Sequence, residues 1–161
     1  FLPALMLAGA LLSGCGDRAA EVGTEVEPPL DYDYGSTLAR LPVDFTTQGQ
    51  LWGHGHVTAR VLGDQLIIQG EFADVESSVT GAHIHRARPG LRGPQIQPLE
   101  IVAEGEQRSG TVGGAIQLTD EVAAALEGNE LYVQIYSEAN PDGVLRGWLF
   151  PPRSTAPASP Q

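Results

Sequence analysis

Leu51-Trp-Gly-His-Gly-His-Val-Thr-Ala-Arg-Val-Leu-Gly-Asp-Gln-Leu-Ile-Ile-Gln-Gly-Glu-Phe72 is the stretch from which the fold can be read. Up to Leu62 its side chains alternate. Val57, Ala59 and Val61 fall on one side, and His54, His56, Thr58 and Arg60 on the other, the period of a half-buried strand. Gly63-Asp64 supplies a tight turn and Gln65–Phe72 returns as the partner strand, so the pair predicts a β-hairpin.

Working outward, the same signals recur. Strands are expected around His83 and His85, over Ile96–Val102, Gly110–Leu118 and Leu131–Tyr136, and last over Val144–Phe150. Thr119–Leu126 alone reads as helix. Thr119 suits the N-cap, Asp120 and Glu121 suit the positive end of the helix dipole, and Gly128 stops it. Seven or so short strands with turns between them predict an all-β domain, an antiparallel sandwich or barrel.

Composition sets the limits. The chain has 161 residues and a net charge of −11, and all nine basic residues are arginine. Such a balance argues against nucleic acid as a partner, because phosphate neutralisation dominates that binding. The run 1–12 is apolar but too short to span a bilayer, and suits the core of a secretory signal. It leads into Leu12-Ser-Gly-Cys15, which resembles a bacterial lipobox, with Cys15 the lipidated residue. The alternative is a buried N-terminal helix with a chance cysteine. The expected organisation is a signal peptide with lipobox over 1–15, an acidic flexible tether over 16–36, one β domain over 37–150 and a disordered tail over 151–161. The lipid would attach the protein to the bacterial cell envelope, at the outer membrane or the periplasmic face.

The chemistry concentrates in Gly81-Ala-His-Ile-His85. In a strand His83 and His85 project together while Ala82 and Ile84 point inward. They sit about 6.7 Å apart along the chain, within reach of one metal ion. Copper comes first, since imidazole suits it and the divalent series favours it. Alternatively the two rings fix a loop through hydrogen bonds. His54 and His56 form a second such pair, so all four histidines fall in two pairs. Whether the pairs share a site is left open. Arg86, Arg88 and Arg92 cluster after His85, and Arg146 faces outward because Leu145, Gly147 and Leu149 form the inward set. Together these four make a positive patch for an anion or an acidic partner. The bland alternative pairs them with Glu100, Glu104 or Glu138.

Gly81–Leu99 and Leu118–Leu149 together resemble the CHRD domain. The resemblance rests on four features in order: the His-x-His of 83–85, Leu118-Thr119 with Leu126-x-Gly128-Asn129, Tyr132-Val133-x-Ile135, and Asn140-Pro-x-Gly-x-Leu-Arg-Gly147. It covers about Val57 to Leu149 and implies an immunoglobulin-like or Greek-key β-sandwich. A weaker likeness, to copper/zinc superoxide dismutase, implies copper at His83 and His85. Where both patterns place a further histidine this chain has Tyr136, with Gln134 nearby. Val133 and Ile135 point inward, so Tyr136 can join His83 and His85 as a phenolate ligand if its pKa is lowered.

Three functions follow as expectations: a copper-binding envelope module, a protein or glycan interaction module that needs no metal, or a copper-only dismutase-like enzyme. The missing third imidazole counts against the enzyme. Oligomeric state is not legible.

Overall fold

The structure, a computed structural model, describes residues 33–41 and 51–152. Cys15 with its apolar run, most of the expected tether and the residues beyond 152 lie outside the described residues. Among the described residues eight strands and one helix follow in order. They are β1 Tyr34–Arg40, β2 His54–Leu62, β3 Gln65–Ala73, β4 Val79–Arg86, β5 Gln95–Glu104, β6 Ser109–Gln117, α1 Asp120–Glu127, β7 Leu131–Ser137 and β8 Leu145–Trp148. Strand β1 takes up Tyr34–Ser36, residues whose composition reads as tether. Its Leu38 is fully buried, and that single anchor is a weak signal in an otherwise polar stretch.

The β2–β3 hairpin pairs His54 with Ala73 through to Leu62 with Gln65. All strand pairs are antiparallel and run in the order β1-β2-β3-β6-β5-β4-β7-β8, closing into a barrel. The all-β class and the Greek-key crossing (β3 beside β6, with β4 and β5 doubling back) agree with the sequence. The sandwich does not: two strands change partner halfway along. Strand β1 pairs with β2 through residues 34–38 and with β8 through Ala39 and Arg40. Strand β5 pairs with β4 through residues 95–99 and with β6 through 100–104. Each makes a corner that joins what would otherwise be two open sheets, so the described strands close on one another. Inside/outside alternation is the same in a sandwich and a barrel, so the pattern alone could not separate them.

The interior holds the inward residues: Leu38, Val57, Ala59, Leu66, Ile68, Ala82, Ile84, Val133, Ile135 and Leu145. Burying each large aliphatic side chain stabilises by about 1.5–3 kcal/mol. Helix α1 packs Val122, Ala125 and Leu126 into this core. Its Thr119 hydroxyl accepts from the Val122 amide at 3.3 Å, and the Gly128 amide donates to Ala124 at 2.9 Å. Among the described residues no helix is long and apolar enough to cross a membrane.

Candidate functional site

Register across β4, β7 and β8 sets outward side chains in two rows. His83 lies opposite Gln134 and Gln134 opposite Arg146. His85 lies opposite Tyr132 and Tyr132 opposite Trp148. Tyr136 lies one step further along β7, opposite Gly81. An outer barrel face is ordinarily wet. Here Tyr132 is 1% exposed, Gln134 4%, His85 5% and Arg146 7%, so this face is a second, polar core.

The loop after β4 provides part of the cover. The Gly93 amide donates to the Tyr132 hydroxyl at 3.0 Å, and the Trp148 indole N–H donates to the Ala87 carbonyl at 3.0 Å. The Gly93 carbonyl faces His85 Nδ1 at 3.0 Å. A Cβ at Gly93 would lie 1.8 Å from the Arg86 carbonyl oxygen, so only glycine lets the backbone come this close.

These contacts fix the state of His85. A carbonyl only accepts, so Nδ1 carries the proton and Nε2 presents its lone pair. The Tyr136 hydroxyl lies 2.6 Å from Nε2 and therefore donates. Burial pushes the His85 pKa below its ordinary value. The Gly93 hydrogen bond opposes that, while the charges of His83 and Arg146 add to it. Burial likewise raises the Tyr136 pKa against a weaker opposing hydrogen bond from Gln95, so the phenol stays protonated. His85 also stacks on Tyr132, with centroids 4.8 Å apart and planes at 12°. The His83 ring lies 5.4 Å from that of Tyr136 and 6.2 Å from that of His85, and its Nδ1 is buried with no hydrogen-bond partner.

Arg146 is a buried cation held by neutral groups. Nε donates to Gln134 Oε1 at 2.9 Å, Nη2 donates to the same oxygen, and the guanidinium lies 4.7 Å from the Tyr132 ring centroid and 5.5 Å from that of Trp148. Gln134 in turn donates to the Asp142 carbonyl at 3.0 Å. Gly143, at φ +110°, makes room for that amide: a Cβ there would lie 2.5 Å from Gln134 Nε2. Asn140 of the same turn donates to Glu76 at 2.6 Å, as does Ser137. The Asn-Pro-x-Gly-x-Leu-Arg-Gly segment therefore has a structural task, which is to seat Gln134 and Arg146.

The structure brings His83, His85 and Tyr136 together and keeps the other histidine pair apart. Strand β2 is four places from β4 in either direction around the barrel, so His54 and His56 lie on the opposite wall. Both are exposed, with His54 Nδ1 3.7 Å from Asp74. There they edge two neighbouring concavities of about 370 and 500 Å³. His56, Glu71 and Thr111 line both, and Glu104 and Glu100 border one each. Among the described residues no three His, Cys, Asp or Glu side chains converge as a ligand set.

The arginine patch divides. Arg86 pairs with Glu121 at 2.8 Å and with Glu130 at 3.1 Å, and Arg88 reaches Glu130 at 3.9 Å. Their partners belong to α1 and the turn after it rather than to Glu100, Glu104 or Glu138. Arg92 is exposed, and neither it nor Arg146 forms an ion pair among the described residues. Tyr132, Gln134 and Trp148 escaped sequence reasoning. Their signal was Tyr132-x-Gln134-x-Tyr136, bulky polar-ended groups alternating on the outer face of a strand whose inner face is aliphatic.

The model of one protein family, the CHRD domain, matches residues 37–149. No curated protein and no solved structure matches the chain.

Proposed function

This chain belongs to the CHRD domain family, and from that premise we propose that it is a binding module, not an enzyme, whose ligand is a copper ion at His83, His85 and Tyr136. One observation carries the reading. Gly93 holds the proton on His85 Nδ1, Nε2 faces the Tyr136 oxygen at 2.6 Å, and the neighbouring His83 Nδ1 is buried without a partner. A backbone carbonyl that fixes the tautomer and aims the other nitrogen is how proteins prepare an imidazole ligand. Two imidazoles and one phenol suit copper. Arg146 opposes a cation here, and ionisation of Tyr136 supplies the one compensating negative charge. The apolar run ending at Cys15 supports presentation at the cell envelope through a lipid anchor.

Copper titration of the purified chain tests this. One equivalent should bind with release of a proton; His83→Ala/His85→Ala should abolish binding and Tyr136→Phe should weaken it. Copper retention unchanged in the double variant overturns the reading. The polar concavities over His56, Glu71 and Thr111 favour a second reading, a metal-independent interaction module for a protein or glycan. Partner capture that survives chelation and fails on Glu71→Ala would select it. A dismutase-like activity has less support, because no third imidazole stands beside His83 and His85 among the described residues.

A further inference from the structure

We propose that the barrel face carrying Arg146 binds a small oxyanion, a phosphate or carboxylate group, between Arg146 and Arg92. A guanidinium is always charged, and burying a charge without a counter-charge is costly. At 7% exposure Arg146 is buried, yet its partners among the described residues are one amide oxygen and two aromatic faces.

The donors are arranged with one edge left over. Gln134 Oε1 takes Nε and one hydrogen of Nη2. The terminal edge of the fork, Nη1 with the second Nη2 hydrogen, donates to nothing among the described residues. Nη1 is not among the side-chain atoms that are both sealed from solvent and unpartnered, so it keeps some contact with water within the 7% exposure of Arg146. An end-on guanidinium edge matches two oxygens of a carboxylate or phosphate.

A second cation stands on the covering loop: Arg92 is exposed and precedes Gly93, whose amide donates to the hydroxyl of Tyr132, the ring over which Arg146 lies at 4.7 Å. Burial lowers the Arg146 pKa, and the charge of Arg92 acts in the same direction. Two unpaired guanidinium groups repel each other, and an anion between them turns that repulsion into two attractions. The other two arginines of the loop are already matched to Glu121 and Glu130. The charge balance is local to this point, in a chain whose net charge is −11. In the same cross-strand row as Arg146 and Gln134, His83 also keeps a buried nitrogen without a partner.

The inference does not depend on copper, and its test uses metal-free protein. Purified chain is titrated with inorganic phosphate, acetate and chloride at matched ionic strength, with heat release and Tm as readouts. Phosphate or acetate, but not chloride, should bind and raise Tm; which of the two binds tighter identifies the natural group. Arg92→Ala leaves the described contacts intact and should weaken binding about two- to fivefold, as expected for loss of one exposed charge. Gln134→Glu places a fixed carboxylate on Arg146 and should abolish the response. Equal binding by the wild type and Arg92→Ala, an undiminished response in Gln134→Glu, or a chloride effect as large as that of phosphate overturns the proposal. Copper uptake by Arg92→Ala should match the wild type, so failure of one proposal is distinguishable from failure of the other.

Discussion

Tyr136→Phe isolates the hydrogen bond that organises the site. The substitution keeps the ring and its packing on His83 and removes one hydroxyl, 2.6 Å from His85 Nε2. Nδ1 remains bonded to Gly93, so the tautomer does not change and the lone pair on Nε2 loses its donor. His85 is 5% exposed, leaving little water to replace it. Orphaning a buried acceptor costs about 1–3 kcal/mol. At about 4–5 °C per kcal/mol for a domain of this size, Tm should fall by about 4–15 °C. Urea unfolding of the wild type, Tyr136→Phe, His85→Phe and the double variant checks the origin of the loss. The loss at the Gly93 carbonyl is common to His85→Phe and the double variant, and with both partners of the 2.6 Å bond gone no acceptor is orphaned there, so the double variant should be more stable than the sum of the singles implies, by at least about 0.5 kcal/mol. The urea midpoint should shift at constant slope. Single effects that add to within about 0.3 kcal/mol would refute the bond between the two side chains.

Two further outcomes follow from the same face. The His85 pKa is lowered by burial, so its contribution to stability is complete above about pH 6.5, the ordinary histidine value, and is lost as pH falls through the lowered folded value. Urea midpoints measured from pH 7.5 to 4.5 should therefore fall more steeply for the wild type than for His85→Phe, and parallel curves would contradict the burial of a neutral ring. Gly143→Ala should destabilise by about 2–3 kcal/mol, because φ is +110° and the new methyl collides with the Gln134 amide. A Tm within about 2 °C of wild type would show that this turn does not seat Gln134.

The local reading followed the chain closely where one element decides its own structure. The 51–72 alternation gave the hairpin with its register, and Thr119 and Gly128 bounded the helix. Strand β1 was lost because Tyr34–Arg40 shows only Leu38 as a buried anchor and follows an acidic, Pro-containing stretch. The outward direction of Arg146 was legible from Leu145 and Gly147. Its burial was not, since that needs Tyr132 and Trp148 from register and the loop folded over them. Arg86 read either as part of a positive patch or as paired with Glu100, Glu104 or Glu138; its actual partners, Glu121 and Glu130, lie 35 and 44 positions away and are brought to it by α1 and the turn after it.

What the sequence determined by itself is the all-β class, the positions of most strands and the sharing of one strand face by His83 and His85. Each follows from side-chain period and turn chemistry, which act over a few residues. Tertiary structure alone decided that β1 and β5 change partners to close a barrel, that the two histidine pairs stand on opposite walls, and that an outward face became a buried polar layer around a guanidinium. These depend on pairings between residues far apart in the chain, and alternation within a strand says which way a side chain points but not what will come to cover it.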